Sequence, residues 1–327
     1  MHSRRLKVGS IFQQPMYRYD ENLLGFETDL IFFEGIPASN VVYHKVPNTR
    51  RETPYIRRLI ESRWQEIVKR NPWAYDSPRA RYEGATFDND TRTLQIFWSE
   101  ERYSTHAVMR ETIFPRSYQA NLFTINGILL TRDGYIPIAV RNPRRTDQGR
   151  ILHITPAGFI DLKKVGTRFV PERVDEATLR KLLDELNFIG VHIMESPYDA
   201  TLREMKEELK RKKPEGEIPF DPNKMSIIAI IYNSRKNFDY TAAVLIPVNL
   251  SHEEITLRGE EHEELKWVRT SLDSLKTTLF ELAIAPETNS GHLRGDIACL
   301  IGYLYGVEEY KKTLEEIVME INFYESK

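Results

Sequence analysis

The segment 197–212 constrains the fold most, because its residue pattern is that of a helix with one apolar side and one acidic side. At about 100° per residue, the apolar side chains fall within an arc of roughly 60°; they are Tyr198, Leu202, Met205 and Leu209. The acidic side chains fill a separate arc of roughly 100°; they are Glu204, Glu207 and Glu208. The apolar side must pack on a core, so we expect the carboxylates to lie beside that core.

Residues at both ends of this helix predict its boundaries. Ser196 is a typical N-cap, and Pro197 occupies the first helical position, where its missing N–H does no harm. The pattern runs on without a break, so we expect the helix to end near Lys213-Pro214.

Two interpretations of the three carboxylates remain open. Like charges at these spacings destabilise a helix by roughly 0.2–0.5 kcal/mol per pair, and a divalent cation such as Mg²⁺, which prefers oxygen ligands, would offset that repulsion. Alternatively, the acidic side is a solvated face, because Glu207 with Arg211 and Glu208 with Lys212 form favourable i,i+4 pairs.

Apolar spacing predicts further helices and strands along the chain. Helices are expected over 54–70, 175–187, 271–283, 291–305 and 308–321. Strands are expected over 95–98, 122–130, 135–140, 225–232, 240–248 and 264–268. The strands 122–130 and 135–140 are joined by Asp133-Gly134, which is a strong hairpin signal.

Composition limits the classes of function. At 327 residues the chain is long enough for two globular units, and 46 basic against 48 acidic residues give a net charge of -2, with no overall basic surface for nucleic acid or an anionic membrane. The single cysteine, Cys299, cannot form an internal disulfide. No apolar run reaches the roughly 20 residues of a membrane-spanning helix, and the N-terminus lacks a secretory pattern. We therefore expect a cytoplasmic protein.

A longer frame surrounds the acidic helix. Glu195 is followed by seven residues and then by Arg-Glu-Met-Lys-Glu-Glu at 203–208, with Pro-Ala-Gly-Phe upstream at 156–159. This frame resembles the signature of the Nudix hydrolases, in which glycine, five residues, glutamate and seven residues precede Arg-Glu-aliphatic-any-Glu-Glu. Here Gly158 lies 37 residues before Glu195 (158 to 195), so residues 162–194 resemble an insertion that splits the signature. The family usually has Thr-Gly where this chain has Leu-Lys at 209–210.

The resemblance implies an α/β fold. We expect a Nudix α/β/α sandwich over residues 115–327 with a helical insertion, preceded by a small α+β domain over 1–114. Segments of the N-terminal part, at 60–64, 71–79 and 82–86, resemble the leading domain of Nudix enzymes of the UDP-glucose/UDP-galactose pyrophosphatase type.

The resemblance also implies a metal site. Its metal ligands would be Glu204, Glu207 and Glu208 together with the Ala157 carbonyl. The cation would be Mg²⁺, with Mn²⁺ able to substitute. Glu207, Glu208 and Glu261 are the expected catalytic residues, and Glu261 is the candidate base or additional ligand, with Glu263 and Glu264 as competitors.

Other residues of the frame have expected roles in binding or structure. Arg141 and Gly158 are expected to bind the substrate, and Arg144 and Arg145 follow Arg141 as further candidates for contacts with a diphosphate. Glu195 and Arg203 are expected to form a structural ion pair.

The expected function follows from these implied roles. It is hydrolysis of a UDP-sugar to UMP and a sugar 1-phosphate. The alternatives are ADP-ribose hydrolysis and a catalytically inactive Nudix-fold module that binds nucleotides or regulates. The expected partner is a small nucleoside diphosphate derivative, not nucleic acid or a membrane, and a homodimer is compatible with the sequence.

Overall fold

The computed structural model of the chain describes residues 10–11, 14–15, 17–19, 28–71, 74–88, 90–111, 114–143, 150–165, 191–233, 239–285 and 288–325. The strands are β1 (Ser10–Ile11), β2 (Gln14–Pro15), β3 (Tyr17–Tyr19), β4 (Thr28–Pro37), β5 (Val41–Lys45), β6 (Pro78–Asp88), β7 (Thr93–Arg102), β8 (Phe123–Leu130), β9 (Tyr135–Arg141), β10 (Leu152–Ile154), β11 (Ala157–Phe159), β12 (Leu162–Val165), β13 (Val191–Met194), β14 (Leu209–Arg211), β15 (Ser226–Asn233), β16 (Asp239–Pro247), β17 (Ile255–Leu257) and β18 (His262–Arg269). The helices are α1 (Pro54–Arg70), α2 (Tyr103–Arg110), α3 (Pro197–Glu208), α4 (Leu272–Ile284), α5 (Gly291–Tyr305) and α6 (Val307–Glu325).

A six-stranded mixed sheet lies at the centre of the molecule, in the order β11-β8-β16-β15-β4-β3. Strands β8 and β16 pair in parallel, and the other neighbours pair antiparallel. Strand β16 shows why this sheet is buried on both faces. Ala243 and Leu245 pack into one hydrophobic cluster, whereas the alternate residues Ala242, Val244 and Ile246 pack into another.

Helices cover both faces of the central sheet. Helix α3 packs on β8, β11 and β16, and its Tyr198 and Met205 belong to the cluster of Ala242, Val244 and Ile246. Helix α5 packs on β4 and β15 from the other side, and α4 and α6 pack on α5. The fully buried side chains of these helices belong to the cluster of Ala243 and Leu245; they are Leu279, Ile297 and Leu300. The chain therefore has a mixed α/β fold with helices on both faces of a sheet.

The turn after β8 corrects the predicted hairpin. Gly134 has φ +78 and closes a tight turn with Thr131, as the Asp-Gly sequence predicts. The two strands nevertheless do not pair with each other. Both edges of β8 are already occupied by β11 and β16, so β9 joins a separate sheet of order β10-β9-β18.

The N-terminal part contributes its own sheet and also a strand to the central sheet. Strands β5, β7 and β6 form a three-stranded sheet, and α1 packs on α2 through Ile56, Ile60, Val108 and Met109. Strand β4, however, pairs with β15 in the central sheet. The central sheet therefore contains strands from both sides of the predicted boundary between residues 114 and 115. The division into two domains at this boundary stays a prediction.

The two ends of the predicted insertion 162–194 meet in space. Strands β12 and β13 pair antiparallel, with Leu162 opposite Met194. The Glu195 N–H donates to the Asp161 carbonyl at 2.9 Å. The helix expected at 175–187 lies outside the described residues.

Most of the other predicted elements are confirmed. Helices α1, α4, α5 and α6 match the expected ranges to within a few residues, and β15 and β16 form the expected antiparallel pair. Their period of 3.6 or 2 residues is set locally, which is why it can be predicted. None of the described helices combines the length and apolar composition needed to span a membrane.

The N-cap of α3 gives a test of this fold. We expect Ser196→Ala to lower the free energy of unfolding by about 1 kcal/mol, because the Ser196 hydroxyl accepts a hydrogen bond from the Asp199 N–H at 3.1 Å. The matched control is Ser271→Ala at the N-cap of α4, where the side chain makes no capping hydrogen bond. Equal losses in urea denaturation of the two variants would contradict the assigned cap.

Candidate active site

Helix α3 is fixed firmly on the sheet, so its carboxylates have defined positions. The Tyr198 hydroxyl donates to the Ile36 carbonyl of β4. Ala200 and Met205 are buried against the sheet. Glu204 and Glu208 lie on the same inward side of the helix, and both are buried.

The helix ends at Glu208, not near Lys213-Pro214 as its pattern predicts. Leu209 adopts extended backbone with φ -125 and ψ 151, and β14 then pairs with β17. The apolar pattern does not predict this helix end, because an apolar residue at position 209 is buried equally well in a helix and in a strand. Leu209 is 1% exposed in the strand. Because the helix ends before residue 211, the i,i+4 pairs of Glu207 with Arg211 and of Glu208 with Lys212, on which the solvated-face interpretation depends, do not lie on a helix. Arg211 lies 3.6 Å from Glu254 instead.

Glu204 lies directly against the backbone of Gly158. A Cβ atom on Gly158 would be 1.9 Å from the Glu204 Oε1. The same oxygen accepts a hydrogen bond from Arg203 at 2.6 Å. Burial raises the pKa of Glu204 to about 7 in spite of that ion pair, and the neighbouring charges of Glu207 and Glu261 raise it further.

Glu208 is the most deeply buried of the three glutamates, at 3% exposed. The Thr155 hydroxyl donates to its Oε2, but its Oε1 is buried with no hydrogen-bond partner among the described residues. Burial raises the pKa of Glu208 well above its usual value, and the charges of Glu261 and Glu204 add to this effect. A buried carboxylate oxygen without a partner is costly, which makes it the strongest indication of a cation site here.

Glu261 and His262 approach Glu208 from the start of β18. One ligand atom from each of Glu208, Glu261 and His262 lies within 4.8 Å of the others. Both ring nitrogens of His262 are buried without a hydrogen-bond partner among the described residues. Burial, with a smaller effect of Arg141, lowers the pKa of His262 to about 4, so its ring is neutral at pH 7.

Glu207 lies apart from this cluster. Its side chain is 62% exposed, and its carboxylate is 3.9 Å from Arg203. The structure therefore brings together Glu204, Glu208 and Glu261 and leaves Glu207 at the rim, although the charge of Glu207 still acts on Glu204.

Arg203 holds the turn before the insertion against α3. It donates to Glu195 at 3.1 Å and to the Phe159 carbonyl at 2.9 Å. It also lies 3.7 Å from Asp161. Arg203 and Glu195 thus form an ion pair, and Arg203 connects both ends of the insertion to the helix that carries the glutamates.

Arg141 lies beside the cluster, at the end of β9. It donates to Glu261 at 3.3 Å, and its guanidinium is 3.3 Å from the ring of His153. By contrast, the competing carboxylates lie near Arg150, which is 2.7 Å from Glu263 and 3.9 Å from Glu264. Arg144 and Arg145 lie outside the described residues.

A pocket of about 170 Å³ adjoins the cluster through Arg141, Ala157 and Gly158. Its wall includes aromatic rings from α2 and β11; they are Tyr103, His106 and Phe159. Its polar groups include Asp239 and His292, which are 2.9 Å apart. The pocket therefore combines aromatic and hydrogen-bonding surface beside the carboxylates, as small-molecule sites do.

Sequence reasoning did not identify Thr155 or His262 as part of the site. His262 directly follows Glu261, and that adjacency is the only signal the sequence gives. Its approach to Glu208 depends on the pairing of His262 with Arg141 across β18 and β9. Such long-range register is not encoded in local spacing.

No protein-family model matches the chain, and no curated protein matches it. Among solved structures, it is similar to an Ap4A hydrolase of C. elegans (13% identity, 56% of this chain, 98% of that chain, TM-score 0.31). It is also similar to the MutT protein of Methanosarcina mazei (12% identity, 54% of this chain, 91% of that chain, TM-score 0.28). A third similar structure is a bifunctional NMN adenylyltransferase/ADP ribose pyrophosphatase of Francisella tularensis complexed with AMP and manganese (13% identity, 52% of this chain, 39% of that chain, TM-score 0.27).

The contact between Gly158 and Glu204 gives a second test. We expect Gly158→Ala to displace the Glu204 carboxylate and to weaken Mn²⁺ binding about 10-fold or more in calorimetric titration. The matched control is Gly216→Ala, because a Cβ at Gly216 meets nothing within 4 Å. Unchanged affinity in Gly158→Ala would show that Glu204 does not hold the cation.

The raised pKa of Glu204 predicts how stability depends on pH. Because its folded pKa of about 7 exceeds the usual 4.5, the contribution of Glu204 to the free energy of unfolding is complete below pH 4.5 and is lost as the pH rises through 7. In EDTA, the free energy of unfolding of Glu204→Gln should therefore rise by roughly 1–3 kcal/mol, relative to that of the unmodified protein, between pH 5 and pH 8. Urea denaturation at both pH values measures this difference, and a difference that does not change with pH would refute the assigned shift.

Proposed function

We propose that the chain is a Nudix-type pyrophosphohydrolase that requires a divalent cation and cleaves a nucleoside diphosphate linked to another moiety. The observation that carries the proposal is the buried Oε1 of Glu208, which lies next to Glu261 and has no hydrogen-bond partner in the described part of the chain. Crowded carboxylates in a protein interior are stable when they ligate a cation.

The meeting of the insertion's two ends supports the assignment to this family. When residues 162–194 are set aside, Phe159, Ile160 and Asp161 separate Gly158 from Glu195, and the Glu195 N–H donates to the Asp161 carbonyl across the junction. The glycine turn and Glu195 are therefore neighbours in space, in the order that the Nudix signature has them. Arg203 then follows Glu195 at the signature's spacing and pairs with it.

The donor set fits a divalent cation. Glu204, Glu208 and Glu261 would hold it, with Glu207 and the Ala157 carbonyl as further ligands at the rim. When bound, the cation neutralises the pyrophosphate oxygens and lowers the pKa of the attacking water. Gly158 lets the Glu204 carboxylate lie flat against the backbone, and Thr155 orients Glu208.

We assign two roles to Glu261, a ligand of the cation through one carboxylate oxygen and the base through the other. Its side chain is 47% exposed, so water reaches it, whereas Glu204 and Glu208 are buried. Arg141 lies between Glu261 and the pocket, where its guanidinium can donate to a phosphate oxygen. Water adds to one phosphorus, the bridging P–O bond breaks, and the Glu261 carboxylate takes the proton.

The pocket beside Arg141 is the proposed site of the moiety that is linked to the nucleoside diphosphate. A sugar is favoured as its occupant, because Asp239 and His292 offer polar contacts for hydroxyl groups while Phe159 offers an apolar face. The N-terminal part supplies Tyr103 and His106 to this pocket, in agreement with a role in selecting the substrate. The resemblance of the N-terminal segments to enzymes of the UDP-sugar type favours UDP-glucose or UDP-galactose as the substrate, with ADP-ribose as the alternative.

A substrate panel tests the proposal. UDP-glucose, UDP-galactose, ADP-ribose and dinucleoside polyphosphates are incubated with Mg²⁺ or Mn²⁺, and products are separated by chromatography. Release of UMP and sugar 1-phosphate is the expected result. Binding of a nucleotide without any turnover would instead identify a catalytically inactive binding module.

The role of Glu208 gives a specific prediction. Glu208→Gln should lower kcat about 100-fold or more, because it removes a ligand charge while it can still accept from Thr155. The metal-free variant should be as stable as the unmodified protein or more stable, since a buried charge is removed. The control is Glu215→Gln, an exposed partner of Lys210. Full activity in Glu208→Gln would contradict the ligand role.

A further inference from the structure

The proposed cation site contains a nitrogen donor as well as carboxylates. The group formed by Glu208, Glu261 and His262 has one ligand atom from each residue within 4.8 Å of the others. Glu261 directly precedes β18 and is therefore not bound by the alternation of a regular strand, so it can lie on the same side as His262. The group lies between the C-terminal end of α3 and the start of β18, which belongs to the three-stranded sheet and not to the central sheet on which α3 packs.

The burial of these donors points to a ligand. His262 is 5% exposed and Glu208 is 3% exposed. Among the described residues neither ring nitrogen of His262 nor the Oε1 of Glu208 has a hydrogen-bond partner. Buried polar atoms are satisfied in the great majority of cases, so three such atoms in one group require an explanation. A cation bonded to one nitrogen and to carboxylate oxygens would satisfy the carboxylate and one side of the ring.

The charges around the group permit a cation. Glu204 adds a third carboxylate that acts on Glu208 and Glu261. Two cationic side chains of the described residues pair with these carboxylates: Arg141 lies 3.3 Å from Glu261, and Arg203 lies 2.6 Å from Glu204.

We propose that His262 is a ligand of this site and that its imidazole makes the site prefer a first-row transition-metal ion over Mg²⁺. Mg²⁺ is a hard cation that takes oxygen ligands and loses water reluctantly. An imidazole nitrogen instead favours transition-metal ions, with affinity rising from Mn²⁺ towards Zn²⁺ and Cu²⁺. The inference concerns the cation site of the proposed function, and it revises the Mg²⁺ expected from the sequence.

A purely structural role for His262 predicts something different. A buried histidine that only fills space would change stability when it is replaced, without any effect on which cation binds. Metal selectivity and direct detection of a nitrogen ligand therefore separate the two roles.

Binding measurements on the full chain test the inference without any substrate. The metal-free protein is titrated with Mn²⁺ and with Mg²⁺, and electron spin echo envelope modulation of the Mn²⁺ complex detects a coordinated ¹⁴N nucleus. The variant is His262→Gln, which replaces the nitrogen ligand with an amide. The control is His153→Gln, which changes a buried ring centred 6.5 Å from that of His262 and outside the group.

We expect the unmodified protein to show ¹⁴N modulation and to bind Mn²⁺ at least about 10-fold more tightly than Mg²⁺. His262→Gln should lose both the modulation and most of the preference, while His153→Gln keeps both. Absence of ¹⁴N modulation in the unmodified protein would overturn the inference, even if His262→Gln failed to fold. So would an unchanged preference in a folded His262→Gln.

The outcomes separate this inference from the proposed function. Nitrogen ligation without hydrolysis of any substrate would support His262 as a ligand and contradict the enzymatic proposal. Hydrolysis with Mg²⁺ and no nitrogen ligation would support the enzymatic proposal and contradict the role of His262 as a ligand.

Discussion

The burial of two carboxylates at the end of one helix is the constraint on which the site depends. Glu204 and Glu208 lie on the inward side of α3, where water cannot solvate their charges. Burial therefore raises the pKa of both groups. The protein meets part of this cost with Arg203 and Thr155 and leaves one oxygen of Glu208 unsatisfied among the described residues. The proposed cation completes that balance.

The long segment 162–194, the predicted insertion, leaves this arrangement intact. The segment begins and ends in the paired strands β12 and β13, so its two ends are neighbours. Arg203 contacts both sides of the junction, through Phe159 and Glu195. The turn at 156–159 and α3 therefore form one unit, although many residues separate them in the sequence. A site assembled in this way tolerates a large insertion because the ends of the insertion stay together.

Sequence periodicity predicted the parts of this protein that are determined locally. The N-cap at Ser196, the buried positions Tyr198 and Met205 and the C-terminal helices all follow from spacing within a few residues. The end of α3 was missed because Leu209 is apolar in either a helix or a strand. The pairing of β9 and the approach of His262 to Glu208 were missed because both depend on strand neighbours far away in the sequence.

We propose that a divalent cation lies among Glu204, Glu208 and Glu261. Its presence can be measured by diffraction at the manganese absorption edge from crystals grown with Mn²⁺. A bound ion should give an anomalous peak within about 2.5 Å of carboxylate oxygens of Glu208 and Glu261. An electron-density map without this peak, in which a protein donor satisfies the Glu208 Oε1, would show that no cation belongs there.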